Sequence, residues 1–464
     1  MNVKVLRQFC QRLVAFEGSD RYLGFKCWRV IPPGSFGHAL APLQGRYAAI
    51  GRARLSLIDL SEFPGPALFA VSSLTGSLLS SGALGSLSSI QSKLANYTAF
   101  DGYARNFSVN LSGLIKAPIS KARTNPLPTN TYSGPRVMKF AGGEMAFALE
   151  ADGGAFQHLG EFGYNADQAQ ALTTGYTLFT SKSGSVSGLG YGATSSYPFA
   201  KALYNDDMIA RQMSDFDASN VGSLTQGGYQ FSYGTSLSPD LRVAATYSAT
   251  PESSVLSPNA AQNNQIKFGL SYRVNNHLTA GMTYSNVAER SSLLGAAYNS
   301  GSILALGQNA TDVIGFSLGY RVDRNSSVLL NAEFGTTKAG SGDAGSLFSA
   351  TSTIQSQAWS ATYLQQNIWK ANDQLAASIK QPLRLSSGSA AITTASVDAQ
   401  GFAVYENSWA SLVPDGREID LTVNYRMPTN KTDTLTLQAA YQKDALNIAG
   451  SNNAQLGLIW NKRF

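Results

Sequence analysis

Three nine-residue stretches of this chain alternate strictly between apolar residues and polar or small ones. They read IKFGLSYRV (Ile266–Val274), IGFSLGYRV (Ile314–Val322) and IDLTVNYRM (Ile419–Met427). Successive side chains of a β-strand point to opposite faces, so each stretch predicts a strand with one apolar face and one face of small, hydroxylated, amide or charged residues. A strict period of two over nine residues argues against helix and makes such strands the elements from which this fold is built.

The three stretches also end alike, with Tyr-Arg and an apolar residue, then a short polar turn and a second alternating stretch. Two more hairpins are predicted around the turns SLSPD and KAND. Long polar segments connect the hairpins: Ala249–Asn264, Val287–Ala310, Gly335–Ala350, Leu385–Asp415 and Lys443–Asn453. Tight turns at one end and long loops at the other are typical of a transmembrane β-barrel. Segments of about ten alternating residues match the strand length that crosses a bilayer at a tilt.

Tyr272, Tyr320 and Tyr425 occupy the same position relative to a short turn. An aromatic girdle at a membrane–water boundary explains this repetition, whereas a soluble β-sandwich gives no reason for it. Closure of the sheet is expected because an open edge in lipid leaves backbone N–H and C=O groups unpaired. The alternation therefore predicts an all-β membrane protein with a closed antiparallel barrel.

Counting back from the last stretch gives eleven strands to the one that begins near Gly228. Earlier candidates are Phe107–Leu114, Val137–Leu149 and Ala155–Tyr164. We therefore expect about 12 strands, with 12 and 14 both open. Residues 1–66 are expected to be an irregular segment, 67–98 a slim helix or linker in or near the lumen, and 99–464 the barrel. The helix itself is predicted over 67–94, from apolar residues at helical spacing.

Composition argues against several other classes of function. Charged residues make up 14% of the chain and the net charge is +6, without a basic cluster interleaved with aromatic residues, so nucleic-acid binding is not expected. The two cysteines, Cys10 and Cys27, lie near the N-terminus, and His38, His158 and His277 are far apart. We expect no disulfide framework in the main domain, no metal site and no cofactor.

Two stretches then resemble a known family. LANYTAFDGYARNFSVNLSGL (Leu94–Leu114) resembles the join between helix and barrel in autotransporter translocator domains, closest to those that follow subtilisin-like protease passengers in proteobacteria. The terminal LGLIWNKRF resembles the assembly signal of outer-membrane barrels, which ends in an aromatic residue with apolar residues at alternate positions. The positions that match the signal are Leu456, Leu458, Trp460 and Phe464, and Lys462 departs from it.

The resemblance implies a translocator barrel of type V secretion in the outer membrane of a Gram-negative bacterium. It implies a helix that threads the lumen and an upstream passenger carried to the cell surface; we expect this chain to lack most or all of such a passenger. The implied partners are outer-membrane lipid, the barrel assembly machinery and periplasmic chaperones, and the barrel is expected to be monomeric.

An enzymatic role is not expected. The fragment GTSLSPD (Gly234–Asp240) resembles the serine motif of subtilisin-like proteases, but Ser236 falls in a turn between two membrane-type strands. The glycine cluster Gly184–Ala193 is interpreted as a loop, because no strand–helix context supports phosphate binding. Two other functions stay open: a porin-like diffusion channel, in which residues 67–94 are a linker, and a soluble β-rich adhesin or structural protein.

Overall fold

The structure is a computed structural model. It describes residues 78–100, 105–116, 118, 136–151, 173–191, 196–217, 220–225, 228–250, 262–290, 292–298, 304, 306–340, 346–400, 403–430 and 433–462. All of these belong to one compact unit, Ser56–Phe464. The segment 1–66, the strand candidate Ala155–Tyr164 and the terminal Phe464 lie outside the described residues.

One antiparallel sheet of fifteen strands dominates the described chain, and its strands are neighbours in chain order. The strands are β5 (Arg136–Phe140), β6 (Gly143–Ala151), β7 (Thr173–Ser181), β8 (Val186–Tyr191), β9 (Tyr229–Ser236), β10 (Leu241–Ala249), β11 (Gln262–Arg273), β12 (Leu278–Arg290), β15 (Asn309–Arg321), β16 (Ser326–Lys338), β18 (Ile354–Gln366), β19 (Gln374–Ser387), β22 (Ile419–Pro428), β23 (Asp433–Lys443) and β24 (Asn453–Lys462). Among the described residues, β5 pairs only with β6 and β24 only with β23.

Nine short strands lie outside this sheet. They are β1 (Leu78–Leu79), β2 (Tyr97–Phe100), β3 (Asn106–Val109), β4 (Ile115–Lys116), β13 (Ser292–Leu293), β14 (Ala296–Tyr298), β17 (Phe348–Thr351), β20 (Ser389–Val397) and β21 (Ala403–Ser411). Most of them form small sheets within the segments between the long strands. No helix in the described part of the chain combines enough length and hydrophobicity to cross a bilayer.

The eleven strands expected from Gly228 onward are confirmed as β9 to β24 of the main sheet. The expected total of 12 to 14 is wrong for the described sheet, which has fifteen strands. Val137–Leu149 is two strands, because the chain turns at Gly142 and at Gly143, whose φ is +153°. The glycine cluster interpreted as a loop contributes β8, and Phe107–Leu114 contributes only β3, which pairs with β2 instead.

The two ends of the sheet differ as the sequence predicted. At one end, called the short-turn end, turns of two to seven residues join β5 to β6, β7 to β8, β9 to β10, β11 to β12, β15 to β16, β18 to β19 and β22 to β23. At the other, called the long-loop end, the connections are longer and carry the small strands and the helices. Both β5 and β24 run toward the short-turn end.

The two faces of the sheet are inverted relative to a water-soluble protein. On β11 and its turn, Ile266, Phe268, Leu270, Tyr272 and Val274 are 43% to 53% exposed, while Lys267 and Ser271 on the opposite face are 2% and 4% exposed. The same pattern holds on β15, where Ile314, Phe316, Leu318, Tyr320 and Val322 are exposed. Each apolar row spans about 27 Å along the strand at ~3.4 Å per residue. At a tilt of roughly 40° this is ~20 Å of height, near the ~25 Å apolar band of membrane barrels.

The N-terminal segment 78–116 packs at the long-loop end. Its helix α1 (Ser88–Leu94) is shorter than the predicted helix 67–94; residues 67–77 lie outside the described part, and β1 and a turn precede α1. Ile90 and Leu94 are fully buried in an apolar core shared with the long loops. β1 pairs with β14 of the loop after β12, so the segment is bound to these loops by backbone as well as side chains.

Candidate functional site: a helical hairpin on the polar face of the sheet

The connection between β8 and β9 contains two helices that lie against the polar face of the sheet. They are α2 (Tyr197–Leu203) and α3 (Asp207–Asp217), and residues 196–217 are called the inner hairpin below. The centre of the Tyr197 ring lies 4.9 Å from the centre of the Tyr176 ring, and this contact is near the long-loop end. At the helix–helix turn, the Asp206 carboxylate lies 3.1 Å from Arg321, the last residue of β15. The inner hairpin therefore enters from the long-loop end, reaches the short-turn end and returns.

Local sequence explains the two helices. Pro198 stands at the start of α2, where its missing N–H costs no hydrogen bond. The Asp206 Oδ1 accepts hydrogen bonds from the backbone N–H groups of Met208 (2.8 Å) and Ile209 (3.2 Å), which caps α3. Ile209, Met213 and Phe216 recur at helical spacing and are buried. The spacing of α3 was the signal by which sequence reasoning could have found this element, which it missed.

The inner hairpin forms a second apolar core with the sheet. This core is separate from the one at the long-loop end and contains Tyr176, Leu178, Val186, Tyr197, Phe199, Ala200, Ala202, Leu203, Tyr204, Ile209, Ala210, Met213, Phe216, Ala244, Leu329 and Ala358. Most of its large side chains come from the helices, and few come from the sheet. The polar face of the sheet is thus covered locally by an apolar surface that the hairpin supplies.

Five glycines line the sheet where the inner hairpin lies. A methyl group on Gly234 would meet the Ala202 backbone at 2.6 Å, on Gly269 the Leu203 side chain at 2.8 Å, and on Gly319 the Ile209 side chain at 2.7 Å. The remaining two are Gly188, opposite Pro198, and Gly281, opposite the Tyr204 hydroxyl. These residues, on β8, β9, β11, β12 and β15, are called the glycine groove; they let the helices approach the sheet backbone closely.

Polar side chains of the sheet satisfy the C-terminal end of α2. Arg242 donates from Nε (3.3 Å) and Nη2 (3.1 Å) to the Ala202 carbonyl, and the Ser271 hydroxyl donates to the Leu203 carbonyl at 2.6 Å. The last carbonyls of a helix have no partner within it, and a cation there also complements the helix dipole. The polar face of the sheet around the inner hairpin, called the wall below, therefore supplies the cap that the helix lacks.

A buried ionic cluster ties α3 to two strands. Lys267 Nζ of β11 lies 2.5 Å from Asp217 Oδ1 at the end of α3 and 3.5 Å from Glu333 Oε1 of β16. The lysine side chain is 2% exposed and its ammonium group lies 5.4 Å from the centre of the Phe199 ring. One buried cation thus bridges a carboxylate of the hairpin and a carboxylate of the wall. Asp217, Lys267 and Glu333 are called the ionic cluster.

The tyrosines named from the sequence lie on the outward face near the short-turn end. Tyr272 and Tyr320 are 49% and 47% exposed. The Tyr425 hydroxyl donates to Asp373 Oδ2 at 2.8 Å, and its ring meets Trp369 edge-on at 4.9 Å. A second set of exposed tyrosines toward the long-loop end was missed: Tyr229, Tyr247, Tyr284 and Tyr441. The girdle role of the first three stays a prediction.

The other residues named from the sequence fall in separate places. Leu456, Leu458 and Trp460 project from the outward face of β24 and are 87%, 66% and 65% exposed, and their role in assembly stays a prediction. Ser236 ends β9, where its hydroxyl accepts a hydrogen bond from Arg242 Nη1 at 2.9 Å. Within the described residues no group of three or more His, Cys, Asp or Glu side chains is arranged to hold a metal ion.

Comparison with known proteins gave no match to a protein-family model and no match to a curated protein. Among solved structures, the chain is similar to the KdgM porin in complex with disordered oligogalacturonate, with a TM-score of 0.22, 7% identity, and coverage of 51% of this chain and 94% of that one. It is also similar to the outer-membrane expressed OmpT of Vibrio cholerae, with a TM-score of 0.28, 11% identity, and coverage of 60% and 77%. Both TM-scores are below 0.5 and both identities are below 25%.

Proposed function

We propose that this chain is an integral β-barrel of a Gram-negative outer membrane. The inverted sheet carries this proposal, since it exposes rows of Ile, Phe, Leu and Tyr and buries Lys, Ser and Thr. In water, an exposed apolar face of this extent would drive aggregation. In lipid it is the stable arrangement, and two sets of tyrosines at its boundaries fit the two aromatic girdles of such barrels.

Closure of the sheet belongs to the same proposal. An edge strand in the hydrocarbon region leaves N–H and C=O groups without partners, at several kcal/mol each. A membrane location therefore requires that β5 and β24 do not both remain edges. We expect the short turns to face the periplasm and the long loops to face the outside, as in other outer-membrane barrels.

The position of the N-terminal segment supports a translocator role. The Ala83 carbonyl accepts a hydrogen bond from Leu385 N–H (3.1 Å) and the Gly82 carbonyl one from the Asn447 amide (2.7 Å), both near the long-loop end. Leu78, the first described residue, pairs with Tyr298 in the long connection after β12, so it lies at the end that we assign to the cell surface. A passenger joined there would lie outside the cell, as in the family that the sequence resembles. The proposed partners are outer-membrane lipid, the barrel assembly machinery and periplasmic chaperones.

A porin-like channel is the second candidate, and the polar inner face favours it. Ser232, Thr246, Thr311 and Gln438 are among the buried polar residues there. Such a lining suits a water-filled lumen. The inner hairpin covers part of this face. The translocator and the channel require the same sheet, and they differ in whether an upstream domain reaches the cell surface.

Cysteine labelling in intact cells tests the topology. In a C10S/C27S background we would introduce Ser92→Cys at the long-loop end and, separately, Asn276→Cys in the short turn between β11 and β12; both positions are exposed. A membrane-impermeant maleimide should label Ser92→Cys in intact cells and Asn276→Cys only after the outer membrane is permeabilised. The opposite labelling pattern would refute the orientation. Recovery of both variants in the soluble fraction, with none in the membrane, would refute the barrel.

The translocator role needs a second experiment. A small reporter domain with a secretion signal would be fused upstream of Met1, and its digestion by protease added to intact cells would be measured. Surface exposure of the reporter is expected, with the barrel migrating faster on gels before heating than after. A barrel that inserts and shifts with heating while the reporter stays periplasmic would reject the translocator role and leave the channel.

A further inference from the structure

We infer that the inner hairpin is a movable plug: it closes a pore for ions and small polar solutes, and the ionic cluster holds it closed. This goes beyond the translocator role and rests on the membrane location proposed above. Residues 196–217 cross the inner face from one end of the sheet to the other and return. The space that they fill is lined by polar strand residues, which is where a pore of this barrel would run.

The wall is shaped to the hairpin without being joined to it by backbone. Among the described residues, no backbone–backbone hydrogen bond joins the two helices to a strand of the sheet. The helices rest instead on the glycine groove, whose five members lie on five strands and present no side chain that would interlock with the helices. Contact is therefore close but smooth, and the hairpin is tied to the sheet covalently only at the long-loop end.

Two of the wall residues that hold the hairpin, Lys267 and Arg242, also have partners within the wall. When Asp217 leaves, Lys267 keeps Glu333 at 3.5 Å. When the Ala202 carbonyl leaves, Arg242 keeps the Ser236 hydroxyl (2.9 Å) and the Gly184 carbonyl (3.2 Å). An unpartnered buried charge is strongly destabilising, and these second partners let Lys267 and Arg242 keep a bond within the wall when the hairpin moves. The arrangement fits two states, one with the hairpin bound as described and one in which the hairpin has shifted along the wall and these two cations keep their wall partners.

Asp217 supplies the hairpin's side of the ionic cluster. It is 5% exposed, belongs to the hairpin, and supplies the closer of the two carboxylates to Lys267. Asp217→Asn weakens the link between plug and wall but leaves the Lys267–Glu333 pair of the wall intact. Asp207→Asn is the matched control, because Asp207 pairs with Lys201 inside the hairpin and does not tie it to the sheet.

A disulfide between plug and wall provides a direct test. A Cβ atom on Gly319 of β15 would lie 3.3 Å from both γ carbons of Ile209 in α3. A cysteine sulfur at position 209 takes one of those places, so Ile209→Cys/Gly319→Cys is near disulfide geometry. In the C10S/C27S background this is the one cysteine pair, and the same protein after reduction is its own control.

The readout is single-channel conductance of the full chain in planar lipid bilayers. We expect the oxidised pair to suppress openings and dithiothreitol to restore them. Asp217→Asn should raise the open fraction at least about tenfold, which corresponds to ~1.4 kcal/mol less holding free energy, and Asp207→Asn should leave it unchanged.

Two results separate this inference from the proposed function. If every variant inserts and shifts with heating, but the oxidised and reduced pairs conduct alike and Asp217→Asn matches Asp207→Asn, the plug is refuted and the barrel stands. If the purified chain neither inserts nor shifts with heating, the membrane location itself fails. A disulfide that forms quantitatively without loss of openings would also overturn the plug, because opening would then not need the hairpin to move.

Discussion

Replacing Lys267 with methionine should be among the most destabilising single changes in the inner face. The substitution keeps most of the volume of the side chain but removes the only cation of the ionic cluster, leaving Asp217 and Glu333 buried with like charges. Removing one partner of a buried ion pair costs about 3–5 kcal/mol. We therefore expect K267M to lower the free energy of unfolding by about that amount, measured by guanidinium titration of the refolded protein in detergent with the heat-shift gel as readout.

The decisive comparison is the effect of Glu333→Gln in two backgrounds. In the native chain the change removes an ion pair at 3.5 Å but also relieves the burial of a second carboxylate, so the free energy of unfolding should move by no more than about 1 kcal/mol. In K267M the same change removes one of two uncompensated charges and should recover about 2 kcal/mol or more. The cluster is not a coupled unit if K267M lowers the free energy of unfolding by less than about 1 kcal/mol. The same conclusion follows if the changes caused by K267M and Glu333→Gln add in the double variant.

Three further predictions concern other parts of the sheet. Gly269→Leu should displace the inner hairpin and raise conductance, whereas Gly457→Ala, on an inner-face glycine that the hairpin does not touch, should leave it unchanged. Phe316→Arg, in the middle of the outward apolar row, should lower the free energy of unfolding in lipid by about 2–4 kcal/mol, measured by denaturant titration in vesicles. Burial alone would raise the pKa of Asp373, but hydrogen bonds from the N–H groups of its turn and from Tyr425 lower it to about 2. Its contribution to stability should therefore be complete above the unfolded pKa of ~3.9 and be lost as the pH falls through about 2; Asp373→Asn should remove that pH dependence from acid-unfolding curves.

The strands after Gly228 could be predicted because alternation there is strict and the turns are short. A stretch such as Ile314–Val322 places every second residue on the exposed apolar face, and a one-residue slip would reverse both faces, so sequence alone specifies register. The strands before Gly228 are harder, because Val186–Tyr191 is rich in glycine and serine. Gly188 looks like a loop residue in sequence, yet it lies in a strand where the chain needs close approach to Pro198.

The inner hairpin could be predicted only in part. Ile209, Met213 and Phe216 have helical spacing, so α3 was within reach of sequence reasoning. Its location was not, because nothing local indicates that a connection between two strands turns inward. The ionic cluster was also out of reach, since Lys267 is 50 residues from Asp217 and 66 from Glu333. The register of the strands places Lys267 and Glu333 on one side of the sheet, and the inner hairpin brings Asp217 to them.

The apolar core of the inner hairpin limits how the plug can open. Phe199, Leu203, Ile209 and Phe216 are at most 3% exposed. Exposing four such side chains to water would cost roughly 6–12 kcal/mol at ~1.5–3 kcal/mol each. Complete release into water is therefore too rare to support conduction, and the hairpin must move while most of these side chains stay covered.

The glycine groove allows that motion, because a smooth wall lets helices slide without first separating from it. The covalent tie at the long-loop end sets the direction, so opening begins at the helix–helix turn, where Asp206 meets Arg321. A disulfide at Ile209, three residues from that turn, should then suppress opening more strongly than one of equal geometry placed near Tyr197.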